Sequence, residues 1–177
     1  MNKTQQVQLP HIILLDTNII QYTSQPRIAD PLNVYLDDLL KRGFDFAISS
    51  ITIYELLRRA SRRTEAKMLA VLDTFRKYGL TDKVLQNAAQ LESLYKLENI
   101  MSNEIEHGDK FIAATSILAT SLVLTANAVD FPAPYFREVE RYLITYEVKR
   151  ERTRSIMVYI LRPEVSVIEQ RIQEIPQ

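Results

Sequence analysis

The sequence predicts an α/β domain built on a central, mainly parallel sheet, and three observations carry that reading. Short apolar runs without polar alternation recur along the chain, the pattern of strands buried on both faces of a parallel sheet. Between them lie longer stretches with apolar residues at helical spacing. Strand and helix patterns alternate, and such alternation favours helical crossovers between parallel strands.

Each element follows in order. Ile12, Ile13, Leu14 and Leu15 form the first strand, ended by Asp16. A helix is predicted over about residues 31–42, stopped by Gly43, and a second strand over 44–48 runs into Ser49 and Ser50. Helical sequence resumes over 51–78 with a break inside it, and again over 82–101. After His107 and Gly108 a helix spans 109–119, followed by a third strand over 122–124 and the turn Thr125-Ala126-Asn127. Further strands are expected at 139–146 and 156–161, separated by the charged run 147–154. Pro163 opens a last helix with Val165, Ile168, Ile172 and Ile175 on one side, a stripe suited to covering the core. Residues 1–146 are expected to form the principal domain, and 147–177 a C-terminal extension, strand plus helix, packed on it.

Composition narrows the chemistry. The chain has 177 residues, 46% hydrophobic and 25% charged, enough for one full core. Cysteine is absent, which excludes disulfides, Cys-ligated zinc and a thiol nucleophile. Lysine plus arginine (22) equals aspartate plus glutamate (22), so a polyanion must be met by a local patch. The three glycines, Gly43, Gly79 and Gly108, cannot compose a GxGxxG fingerprint or a GxxxxGK[ST] loop. With His11 and His107 the only histidines, a histidine-rich metal site is excluded as well. The N-terminus lacks the apolar core of a signal peptide, so a cytoplasmic protein is expected. Residues 111–129 carry no charge, but interruption by Thr115, Ser116, Thr120, Ser121, Thr125 and Asn127 suits a buried helix and strand better than a membrane span.

Ligands of open parallel sheets bind beyond the carboxyl ends of the strands. Asp16 follows the first strand, Glu55 lies one turn into the helix after the second, Asp109 opens the helix before the third, and Asp130 follows that strand. Each also has a structural reading: Asp16 and Asp109 as helix caps, Glu55 in a capping box with Thr52 or an ion pair with Arg59, Asp130 as a turn residue. On a helix, Ile53, Leu56, Leu57 and Ala60 form an apolar stripe, and Glu55 projects opposite it with Arg58, Arg59 and Arg62. Carboxylates brought together must hold a proton or recruit a divalent cation, and oxygen donors without histidine or cysteine suit magnesium or manganese. Such an ion can activate water against a phosphodiester. Arg58, Arg59, Arg62 and Lys110 can then neutralise backbone phosphates, as can the basic residues Lys149, Arg150, Arg152 and Arg154, although each run also reads as a solvated face.

The segments IILLDTNII (12–20), SSITIYELLRR (49–59), GDKFIAATSILA (108–119) and SLVLTANAVDFP (121–132) resemble, in order, the four motifs of the PIN-domain family. The D-T-N after an apolar strand and the D-x-x-I-A-A-T helix are the more specific. The resemblance implies a three-layer α/β/α sandwich with a four- or five-stranded sheet. It further implies a Mg2+- or Mn2+-dependent endoribonuclease acting through a metal-activated water, often the VapC-like toxin of a toxin-antitoxin pair, with an antitoxin partner and a homodimeric state. Its catalytic and metal-binding acids match Asp16, Glu55 and Asp109, with Thr17 and Asn18 orienting them. The fourth position falls on Asn127 or on Asp130; we assign it to Asp130, with Asn127 as polar support.

Two other functions compete. A catalytically degenerate PIN-like module that binds RNA or protein is favoured by Asn127 in place of an acid. A phosphohydrolase with a covalent aspartate needs a second aspartate two residues after the first, where this chain has Asn18.

Overall fold

The computed structural model describes residues 10–100, 105–148 and 152–174. Lys149, Arg150 and Ile175 therefore lie outside the described residues. The chain runs β1 (Ile12–Leu15), α1 (Thr17–Thr23), α2 (Pro26–Lys41), β2 (Asp45–Ser49), α3 (Ser50–Arg59), α4 (Arg62–Leu72), β3 (Arg76–Tyr78), α5 (Asp82–Leu97), α6 (His107–Leu118), β4 (Leu122–Thr125), a 3-10 turn (Ala128–Asp130), β5 (Phe136–Val148), β6 (Arg152–Pro163) and α7 (Val165–Gln173).

One sheet of six strands, in the order β3-β2-β1-β4-β6-β5, lies between two helical layers. β1 pairs in parallel with β2 on one side and β4 on the other, and β3 continues the parallel run beyond β2. β6 joins β4 antiparallel, and β5 pairs with β6 as a long hairpin. Alternation along β1 divides its side chains between the layers: Ile13 and Leu15 face the core with Ile19, Leu32, Leu39 and Leu56, while Leu14 faces Leu91, Ile112, Val123 and Ile168. All three are essentially inaccessible to water, which is why the strand reads as a continuous apolar run.

The sequence-predicted class holds, with differences that have physical causes. The sheet has six strands instead of four or five, because β3 adds one edge and the hairpin extends the other. The single helical stretch expected at 51–78 is α3, α4 and β3. Ala60 adopts an extended conformation that ends α3, and Ser61 with Thr64 forms a capping box that starts α4. α2 begins at Pro26, five residues earlier than expected, with Pro31 inside it. A proline there removes one donor early in the helix, and burial of Ile28, Ala29 and Leu32 against the sheet offsets the loss. Gly43, at φ +89°, ends α2, with its own N–H donating to the Leu40 carbonyl and that of Phe44 to the Leu39 carbonyl.

Position 146, the expected end of the principal domain, lies within β5, whose length is paired with β6. Val165, Ile168 and Ile172 of α7 pack on the core cluster that includes Leu161 and Phe136. Among the described residues no helix is long and apolar enough to cross a membrane. The uncharged stretch 111–129 comprises most of α6, β4 and part of the 3-10 turn.

Candidate active site

Because β2 follows β1 on one side and β4 is its parallel neighbour on the other, the order of strand addition reverses between β1 and β4, and loops diverge there to leave a crevice. Asp16 stands at the carboxyl end of β1 and Thr125 at the carboxyl end of β4, so both flank that crevice. The Asp16 backbone N–H donates to the Leu124 carbonyl at 3.0 Å, locking the two strand ends together.

Asp16 is 2% exposed and holds the N-cap position of α1, yet its side chain makes no cap hydrogen bond. Its Oδ2 instead accepts from Thr125 Oγ1 and from Asn18 Nδ2, both at 2.6 Å. Asn18 also accepts from the Ala126 N–H at 3.0 Å, and Thr125 Oγ1 accepts from the Asn127 N–H at 2.9 Å. Burial pushes the Asp16 carboxyl up to about 6; the Thr125 and Thr17 hydrogen bonds oppose this, and Asp130 and Glu55 add to it.

Glu55 reaches the same place from α3. Thr17 Oγ1 donates to its Oε2 at 2.5 Å, so it neither closes a capping box nor depends on Arg59. The α3 cap is Ser49, whose hydroxyl accepts from the Ile51 N–H, and Thr52 lies inside the helix, buried. The Glu55 carboxylate rests against Gly108: a Cβ there would meet Oε1 at 2.0 Å.

Asp109 lies in the first turn of α6, whose N-cap is Glu106. Burial pushes its carboxyl up to about 8, and Asp16, Asp130, Glu55 and Glu106 all raise it further. Asp130, in the 3-10 turn, accepts from the Asn127 side-chain amide. Its pKa is raised by burial and by Glu106, against the lowering effect of that amide. Four acids from four separate elements thus share one electrostatic environment. Among the described residues, however, no three acidic or histidine side chains are grouped closely enough to hold a metal ion as they stand.

The expected cationic contacts divide. Arg58 lies on α3 beside Glu55, with its guanidinium 5.9 Å from the Tyr54 ring centroid. Arg59 lines a different groove, between α1, α3 and α4, and Arg62 opens α4 beyond the helix break and so leaves the Glu55 face. Lys110 is 4% exposed, with Nζ 3.5 Å from Glu92 Oε2.

Two participants were missed in the sequence. Thr125 ends an apolar strand with a hydroxyl, a weak signal, and its partner Asp16 is 109 residues away. Glu106 precedes the Gly108-Asp109 segment and carries no motif of its own.

No family model matches the chain, and no curated protein does. Solved structures match. FitAcB from Neisseria gonorrhoeae is 28% identical with a TM-score of 0.55, over 67% of this chain and 90% of that one. VapBC2 from Rickettsia felis, bound to a DNA fragment from its promoter, is 23% identical with a TM-score of 0.57, over 68% and 90%. A toxin-antitoxin complex from Klebsiella pneumoniae is 24% identical with a TM-score of 0.55, over 69% and 92%. The structural neighbours of this chain are thus toxin-antitoxin proteins, in agreement with the PIN-domain resemblance of its four segments.

Proposed function

We propose that the chain is a divalent-metal-dependent endoribonuclease, with Asp16, Glu55, Asp109 and Asp130 as its catalytic and metal-binding acids. The observation that carries this reading is the pKa of Asp109, raised to about 8 first by burial and then by four other acids, Asp16, Asp130, Glu55 and Glu106. A surplus of buried negative charge with all-oxygen donors is matched chemically by a hard cation. Magnesium or manganese, when bound, offsets that charge and lowers the cost of developing charge on a phosphodiester and its attacking water.

The remaining work falls to the chain. Thr125 and Asn18 hold the Asp16 carboxylate in one orientation. Thr17 and the bare Gly108 backbone set the position of Glu55. Asn127 orients Asp130. Arg58, which shares a groove with Glu55, would meet a phosphate beside these acids. The fold likeness supports a toxin role with a cognate antitoxin as partner, and the family resemblance implies a homodimer as the assembled state. RNA as substrate fits action in the cytoplasm.

Cleavage of an RNA panel with magnesium or manganese tests the reading. Asp16→Asn should lower the rate on the order of 100-fold or more, since about 3 kcal/mol of transition-state stabilisation is worth two powers of ten. Equal cleavage by the natural and substituted chains overturns it.

A second reading, an RNA- or protein-binding module without catalysis, is favoured by the ungrouped carboxylates and by the exposed amide of Asn127. Metal titration separates the two: the module should show no carboxylate-dependent affinity for magnesium or manganese.

A further inference from the structure

Beside the acids lies a groove of about 530 Å³ between α3 and the first turn of α6. That volume is within the range of ligand sites, about 300–1,000 Å³. It is continuous with the acid site, because Glu55, Glu106 and Gly108 line it. Ile51, Tyr54, Glu55 and Arg58 recur at helical spacing and so share the face of α3 that forms one wall. Phe111 and the buried Lys110 belong to the other.

Three features of this groove point to one ligand chemistry. Tyr54 is 59% exposed, an aromatic ring at the groove that the core does not use. Arg58 lies over that ring at 5.9 Å, so a planar cation and a π-face stand together. Glu92, another acid of the lining, is already met by Lys96 at 2.7 Å and Lys110 at 3.5 Å, and Arg58 is exposed. An unpaired nucleotide offers a base to stack on such a ring and a phosphate for the guanidinium. A duplex keeps its bases stacked on one another and offers only its backbone.

We propose that this groove is the subsite for an unpaired nucleotide of single-stranded RNA adjoining the scissile phosphate, with its base stacked on Tyr54 and its phosphate met by Arg58. The inference rests on the nuclease reading in taking RNA as the substrate.

The chain contains no tryptophan, so Tyr54→Trp installs a single indole. In the Asp16→Asn background, to prevent cleavage, this variant is titrated in magnesium with a short single-stranded RNA and with the same RNA as a duplex. Saturable quenching by the single strand is expected, with the duplex requiring about tenfold higher concentration. In the chain with Asp16 intact, Tyr54→Ala should raise KM for single-stranded RNA about tenfold with kcat little changed, and Tyr54→Phe should restore it. Equal quenching by both forms, no quenching, or an unchanged KM in Tyr54→Ala overturns the proposal. If the natural chain cleaves no RNA while the single strand still quenches, the nuclease reading fails and the subsite stands. If RNA is cleaved and the indole is silent, the subsite fails alone.

Discussion

The backbone of Gly108 and the carboxylate of Glu55 are in direct contact, so close that a methyl group on Gly108 would lie 2.0 Å from Oε1 and 2.9 Å from Cδ. Gly108 is the second residue of α6, where alanine would fit the helical backbone at least as well. Its presence there keeps space for an acid arriving from another helix. Gly108→Ala should therefore separate stability from activity. The Glu55 tip is flexible and can swing away, so the melting temperature should hold within a few degrees, while cleavage should fall about tenfold or more because Glu55 leaves its position. Thermal melts beside initial rates check both halves.

Thr125→Val removes the hydroxyl that donates to Asp16 and accepts from the Asn127 N–H. A buried carboxylate losing a donor should cost about 1–3 kcal/mol of stability. Because the Thr125 bond lowers the Asp16 pKa against the upward push of burial, its loss should move any limb of the pH–rate profile due to Asp16 toward alkaline pH. Thr125→Ser, which keeps the hydroxyl, should leave the limb in place.

Without divalent metal, stability should decline as pH rises. Asp16 and Asp109 have folded pKa values of about 6 and about 8, both above the ordinary 3.8. The folded state thus retains protons that the unfolded chain releases. Their contribution is fully present below pH 3.8, is lost as pH passes about 6 for Asp16 and is gone above about 8 for Asp109. Melts in chelator between pH 5 and 9 should show the fall. Asp109→Asn should flatten it, and manganese at pH 8 should raise the melting temperature of the natural chain but not of that variant.

Glu140 anchors the β5–β6 hairpin to α2: Arg42 donates to its two oxygens at 3.0 and 2.6 Å, and Tyr35 donates at 3.1 Å. Tyr35 also stacks on Tyr142 with centroids 4.3 Å apart. Glu140→Ala leaves the buried Tyr35 hydroxyl and the Arg42 guanidinium without this acceptor. It should cost about 1–3 kcal/mol, read as a lower denaturation midpoint, with cleavage below the transition unchanged.

How far the sequence reached can be judged from individual residues. Ile12 to Leu15 announced a buried strand because both faces are covered, and the acid after it fell where parallel sheets place their ligands. Gly43 announced the end of α2 because its left-handed backbone suits glycine. By contrast, β3 is three residues long, with two of them exposed, too little to interrupt a helical pattern. α1 is legible only as a short helix that Asp16 could cap, because its seven residues carry no acid or base in their end turns to mark it further. Arg62 was grouped with Glu55 on helical spacing alone, and the extended backbone at Ala60 removed it from that face.

Local spacing, side-chain volume and charge thus determined the class of fold, the buried strands and the identity of the acids, since those properties act between residues near in the chain. The strand order that sets β1 beside β4, the bond from Thr125 to Asp16, and the seating of Glu55 on Gly108 were decided by the tertiary structure. Such contacts join positions about 50 to 110 residues apart, and their partners become neighbours once crossover helices have packed against both faces of the sheet.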